Sequence, residues 1–216
     1  MKPFVIGIAG GSCSGKTSIA NKLSDMLAGI GTALIRMDNY YHDLSGLALE
    51  ERASINFDKP DAIDFRLLEN HVEELLEGRE IVIPSYNFRT HTREGPGRKA
   101  RCRLPAEGGV RSVLIIEGLY ALFRESLRTV MDIRVFIEAD MDICLSRRVK
   151  RDTSERGRTR EGVYRQFHDT VIPMYNKYLL PTREYADLTV DASESAEPAA
   201  GKIISEFNKI TRNTGA

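Results

Sequence analysis

An excess of charge of one sign is missing from this chain: 31 Lys and Arg are balanced by 31 Asp and Glu over 216 residues. A protein displaces counterions from a nucleic acid with surplus positive charge, so generic nucleic-acid binding is not expected. Long apolar runs are missing too, and none approaches the ~20 residues a membrane span requires. Cysteine is scarce: Cys13, Cys102 and Cys144 are scattered, odd in number and form no C-x-x-C pair. That pattern gives no disulfide framework and reads as a reduced, cytoplasmic compartment. Met1-Lys2-Pro3-Phe4 leads straight into the first apolar run, so no signal peptide is expected. No internal repeat is present. The N-K-x-D guanine motif is absent as well, because none of Asn21-Lys22, Asn176-Lys177 and Asn208-Lys209 has Asp two positions later. Asp43-Leu44-Ser45-Gly46 fits D-x-x-G by letters, a common pattern that does not restore a GTPase switch.

What is present begins at Gly10-Gly11-Ser12-Cys13-Ser14-Gly15-Lys16-Thr17, a complete G-x-x-x-x-G-K-[ST] phosphate-binding loop. The glycines let the backbone turn tightly, so that successive N–H groups converge on one anion. Lys16 is placed to reach the β/γ phosphates and the Thr17 hydroxyl to ligate Mg²⁺. The apolar run Phe4–Ala9 before the loop and the helical spacing of Ile19, Ala20, Leu23, Met26 and Leu27 after it complete a strand–loop–helix unit. A helix N-terminus with free N–H groups is where an anion binds, so nucleoside-triphosphate binding is expected. Cys13 sits at that N-terminus, where a reactive thiol is one reading and a small buried filler the other.

Strands and helices alternate along the rest of the chain, which predicts an α/β sheet. Further strands are expected at 32–37, 113–116, 133–137 and 187–190, with a short antiparallel pair near 81–84 and 98–104. Helices fit 67–77, 140–151, 161–180 with a bend at Pro173, and 196–211. Ligands of open parallel sheets bind beyond the carboxyl ends of strands, and the loop, Asp38 and Glu117 all fall at such ends. Asp38 is the candidate carboxylate beside an attacking hydroxyl and a candidate Mg²⁺ ligand; a turn or cap aspartate is the alternative. Glu117, after Val113–Ile116, would hold Mg²⁺ directly or through water, with a capping carboxylate as its alternative.

At this point the chain resembles the uridine/cytidine kinases. The residues that carry the resemblance are Asp38-Asn39-Tyr40-Tyr41, Asn56 to Asp64, Tyr86 to Arg93, Ile116-Glu117-Gly118, Arg147-Arg148 through Arg151-Asp152, Glu155-Arg156-Gly157-Arg158, Pro173 and Tyr185-Ala186-Asp187. They occur in family order over about residues 5–190. The resemblance implies a phosphate-loop (P-loop) NTPase fold, with a parallel five-stranded sheet flanked by helices. It implies one domain over 1–216, with a hairpin insertion at about 80–111 and an Arg-rich lid at about 147–160. It also implies transfer of the γ-phosphoryl group of ATP or GTP to the 5′-hydroxyl of uridine or cytidine, with Mg²⁺, in a homotetramer. Carried over by position, Asp38 is the catalytic base. Tyr41, Asp58, Tyr86, Phe88, His91, Arg148 and Gln166 line the nucleoside site, and Arg151, Arg156 and Arg158 belong to the lid over the phosphates.

The chemistry of these residues suits those roles. A pyrimidine has an apolar face and a polar edge, which Tyr86, Phe88 and His91 can meet, although such a trio also serves as packing. Asp58 can accept from ribose hydroxyls, or can be a turn residue before Pro60. Arginine forks match phosphoryl oxygens in pairs, and a solvated basic face is the alternative. Rival acceptors within the superfamily are ribulose 5-phosphate and pantothenate, and a non-catalytic ATP-binding regulator is a further rival. Two stretches depart from the family pattern: Glu94 to Arg111, longer and richer in glycine, and the tail after Asp191.

Overall fold

Strand β1 (Phe4–Gly10) is buried at all seven positions because it takes the centre of a five-stranded parallel sheet. The computed structural model describes residues 2–95, 100–104, 112–193 and 195–213. Along the chain, β1 leads through the glycine loop to helix α1 (Lys16–Met26), strand β2 (Thr32–Arg36) and a tight turn at Met37–Tyr40. A short α2 (Leu49–Ser54) precedes α3 (Phe65–Leu76), and four short strands follow: β3 (Ile81–Ile83), β4 (Tyr86–Asn87), β5 (Thr92–Arg93) and β6 (Ala100–Cys102). Then come β7 (Val113–Gly118), α4 (Glu125–Arg128), β8 (Ile133–Glu138), α5 (Met141–Glu155), α6 (Arg160–Gln166), a single turn α7 (Ile172–Met174), β9 (Leu188–Asp191) and α8 (Ala196–Asn213).

The sheet order is β2-β7-β1-β8-β9, and every pairing in it is parallel. Successive side chains of a strand point to opposite faces, and here both faces are covered. Phe4, Ile6 and Ile8 pack with Ile19 and Leu23 of α1 and Ala199 and Ile203 of α8. Val5 and Ala9 pack on the other face with Leu68, Val72 and Leu75 of α3. Fully burying each of the larger aliphatic side chains stabilises the fold by about 1.5–3 kcal/mol.

The expected antiparallel pair is present as β3 with β6, with Ile81 opposite Cys102. The hairpin β4–β5 and the helices α2 and α4 were not legible beforehand, being too short for a periodic signal. The expected helix 161–180 is broken. It runs as α6, a wide π turn at Phe167–Val171, α7, a second π turn at Tyr175–Leu179 and a 3₁₀ stretch to Tyr185. Pro173 supplies no N–H to the carbonyl one turn back, and the backbone widens on both sides of it. Helix α5 extends to Glu155, so the expected lid at 147–160 is mostly the end of this helix plus the turn around Gly157. Of the Glu94–Arg111 departure, residues 96–99 and 105–111 lie outside the described residues. The tail beyond Asp191 forms α8 against α1.

Candidate active site

Register brings the chemistry together. Ile8 of β1 lies opposite Glu117 of β7, and Arg36 of β2 lies opposite the same glutamate. The loop after β1, the turn after β2 and the end of β7 therefore leave the sheet side by side. Gly15 adopts φ 97°, a left-handed conformation that an L side chain rarely takes, and so turns the loop into α1. Gly118 is needed for close approach, because a Cβ there would stand 2.3 Å from Met37 Cβ. Its absence lets the Met37–Tyr40 turn lie against β7, which carries Asp38 to the loop.

Lys16 is 6% exposed, and its Nζ donates to the Gly11 carbonyl at 3.3 Å, so its charge lies across the loop. Thr17 Oγ1 donates to Glu117 Oε1 at 3.2 Å. Glu117 is 2% exposed. Burial pushes its carboxyl pKa up, with Lys16 and the Thr17 hydroxyl opposing the shift. A buried carboxylate beside a hydroxyl, with Asp38 close enough to raise it further, is a donor set that suits a hard dication such as Mg²⁺ completed by phosphate oxygens and water.

Two cavities meet here. The larger, about 560 Å³, is lined by Cys13 to Ile19, Asp38, Arg147, Arg151, Ala192, Ser195 and Ala196. The smaller, about 50 Å³, is lined by Ser12, Lys16, Asp38, Tyr41, Phe57, Asp58, Phe88, His91, Leu119, Arg148, Arg151, Arg156, Arg158 and Gln166. Lys16, Asp38 and Arg151 line both and so mark the junction. Of the loop residues, Gly10 and Gly11 shape the turn without lining either cavity, and Ser12 faces the smaller one. Arg158, expected over the nucleotide, also lines the smaller cavity.

The smaller cavity has an aromatic wall and a polar floor. Tyr41 rests on Phe57, Tyr86 and Phe88, with ring centroids 5.2–6.0 Å apart, and its pKa is raised well above the usual tyrosine value by burial, then by Asp38 and Asp58. His91 takes φ 55° and stacks on Phe57 at 4.2 Å and 13°. Burial lowers its pKa, and Arg158, Arg156 and Arg52 add to the effect, so the neutral imidazole is favoured. Tyr86 stands behind Tyr41 and does not line the cavity. Asp58 is held on the floor by Thr170 Oγ1 at 3.1 Å and by Arg148 Nη1 at 3.6 Å. Arg148 also reaches Ser12 Oγ at 3.0 Å and Gln166 Oε1 at 3.1 Å. The lid touches this wall, with Arg156 over the Phe88 ring at 4.1 Å and Arg89 Nε donating to the Glu155 carbonyl at 2.9 Å.

Sequence reasoning missed Phe57, Leu119, Thr170, and the Arg147–Ala192 side of the larger cavity. Phe57 lies within the quoted Asn56–Asp64 block and Leu119 directly after Ile116-Glu117-Gly118, so both could have been found there. Thr170 carries no signal outside the fold.

Over residues 5–197 the sequence matches the pattern of the Phosphoribulokinase / Uridine kinase family. The chain belongs to that family. The uridine kinase of Deinococcus deserti is 41% identical over 199 residues, covering 92% of each chain. The uridine-cytidine kinase B of Dictyostelium discoideum is 40% identical over 190 residues, covering 87% of this chain and 74% of that one. Among solved structures, the phosphoribulokinase from Rhodobacter spheroides superposes with a TM-score of 0.63 at 18% identity, covering 88% of this chain and 70% of that one. A possible uridine kinase from Bacillus stearothermophilus gives 0.59 at 21%, covering 88% and 90%. These two likenesses establish the P-loop kinase fold of the family member described here. Among its described residues no helix is long and apolar enough to cross a membrane.

Proposed function

We propose that this family member is a pyrimidine nucleoside kinase that moves the γ-phosphoryl group of ATP to the 5′-hydroxyl of uridine or cytidine. The observation that carries the reading is the junction: Asp38, Lys16 and Arg151 line both a phosphate-loop cavity and a cavity with aromatic walls and a carboxylate floor. Identity of 40–41% to kinases named for uridine and cytidine supports the choice of acceptor.

In this reading the loop N–H groups and Lys16 hold the phosphates of ATP in the larger cavity. Arg147, which reaches the carbonyls of Cys13 at 3.4 Å and Ala192 at 3.5 Å, offers a flat guanidinium to the purine. The nucleoside lies in the smaller cavity, with Asp58 accepting from ribose hydroxyls. Its base sits among Tyr41, Phe57, Phe88 and His91, with Tyr86 backing Tyr41. Asp38 accepts the proton of the 5′-hydroxyl as its oxygen attacks the γ-phosphorus, and ADP leaves on the opposite side. Lys16, Arg151, Arg156 and Arg158 balance the charge of the moving phosphoryl group. Thr17 and Glu117, with Asp38, would hold Mg²⁺, which neutralises charge on the β and γ oxygens. A phosphorylated sugar or pantothenate would make no use of the aromatic wall.

The test is a coupled ADP-release assay with ATP and Mg²⁺ across uridine, cytidine, pantothenate and ribulose 5-phosphate, with product masses confirmed. Turnover with uridine or cytidine is expected, and turnover only with the other two acceptors would overturn the reading.

A further inference from the structure

Asp152 is the most enclosed charged residue of the site, at 0% exposure, and four guanidinium groups surround it. Arg151 Nε bonds Oδ1 at 2.8 Å and Arg156 Nε stands 3.6 Å from the same oxygen. Arg148 Nε lies 3.5 Å and Arg158 Nη1 3.6 Å from Oδ2. Only the first contact is a hydrogen bond; Oδ2 accepts none, and Arg148 Nε donates none. Asp58 is the second carboxylate in contact with the group, and Asp38 lines the same cavity and acts on Arg151 and Arg156, so three carboxylates face four cations. Like charges packed this closely repel, and burial together with Arg151 lowers the pKa of Arg156.

On the proposed kinase reading, we infer that Asp152 is a positioning residue that substitutes for the phosphoryl oxygens: it gathers the four arginines while no nucleotide is bound and passes Arg151, Arg156 and Arg158 to the phosphates when one is. The Arg156 Nε contact at 3.6 Å orients its guanidinium without engaging the donor, which leaves it for the ligand, whereas Arg158 Nη1 already donates to Gln166 Oε1 at 2.6 Å and Arg148 Nε is buried. Without its charge the arginines spread, and a misplacement of about 1 Å at a reacting centre costs on the order of 100-fold in rate.

The test is Asp152→Asn, which keeps the shape and removes the charge. Wild-type turnover of uridine or cytidine is confirmed first, so that failure of the kinase reading is seen separately. With the variant, kcat is expected to fall on the order of 100-fold while KM for ATP does not rise, since the loop is untouched. Inorganic tripolyphosphate is expected to raise the melting temperature of the variant more than that of the wild type, because one more unpaired cation awaits it. An equal tripolyphosphate shift, or a kcat within about threefold of wild type, overturns the inference. If the variant does not fold, the Asp152→Asn/Arg156→Gln pair restores the charge balance and is expected to fold; its failure also overturns the inference.

Discussion

Gly118→Ala is a one-carbon perturbation outside both cavities that should disable the catalyst. The added Cβ would meet Met37 Cβ at 2.3 Å, against 3.4 Å for an ordinary contact, so about 1 Å must be found. Strand β7 is paired on both sides and cannot yield easily. Met37 Cβ is fixed to its own backbone, and its side chain is fully buried. The Met37–Tyr40 turn is then the part that moves, and Asp38 moves with it. A shift of that size costs on the order of 100-fold in kcat, and the overpacking costs about 1–3 kcal/mol of stability. Steady-state kcat with uridine and ATP, calorimetric titration of ATP and a thermal melt separate the effects. ATP affinity is expected to stay within about threefold, because residues 10–17 keep their places. Adding Met37→Ala removes the Sδ and Cγ contacts at 3.0 and 3.1 Å but keeps Cβ, so no rescue is expected. A folded Gly118→Ala protein with kcat near wild type, or rescue by Met37→Ala, would refute the reasoning.

Three further outcomes are expected. Thr170→Val removes the 3.1 Å contact to Asp58, worth about 1 kcal/mol, and should raise the nucleoside KM about fivefold with KM for ATP unchanged; an equal rise in both would show a general disturbance. Glu117→Gln should raise the Mg²⁺ concentration for half-maximal rate about 10–100-fold, read from a metal titration after chelation, and an unchanged requirement would remove Glu117 from the metal set. Burial lowers the pKa of His71, which pairs with the Tyr40 hydroxyl at 3.0 Å. A histidine depressed in the folded state takes up its proton first in the unfolded chain, so stability is held above the ordinary value of 6.5 and lost as pH falls below it. Melting curves from pH 7.5 to 5.5 should show that loss, and His71→Gln should shrink it; an identical slope in the variant would defeat the assignment.

The parallel strands, the loop, Asp38 and Glu117 were legible because their signals are local: an apolar run ending in a polar residue places that residue at a strand end. Asp152 was not. On paper it is one acid on a charged helix, four residues from Arg148, and such a pair is usually solvated. Its burial depends on α5 turning that face toward Ser12, Asp58 and Gln166, which no window of sequence contains. Tyr86 was legible as aromatic near the acceptor but not as the residue behind Tyr41, since alternation along two residues of β4 does not say which ring is in front. The π turns escaped for another reason. Pro173 announces a bend, but whether the helix ends, kinks or widens is decided by packing, and Thr170, which reaches Asp58, lies within the first widened turn.

The two cavities differ in a way that bears on the order of events. The larger already has the volume that small-molecule sites usually occupy, about 300–1,000 Å³, whereas the smaller, at about 50 Å³, has room for a few waters. On the proposed kinase reading, the larger cavity has room for ATP on the loop as it stands, and the smaller must widen before a nucleoside fits. The contacts that close the wall are Arg156 over Phe88 and Arg89 to the Glu155 carbonyl, both between the lid and the β4–β5 hairpin. While Arg148 on α5 stays tied to Ser12, Asp58 and Gln166, Arg156 and Arg158 follow directly on the end of that helix, and the turn that carries them can move when the hairpin contacts part. Its return over a bound nucleoside would bring the cations to the phosphates and shut out the water that competes for the phosphoryl group. The acceptor that fits beneath the closed wall is then the acceptor that is phosphorylated, which places selectivity in the hairpin and the lid together rather than in either alone.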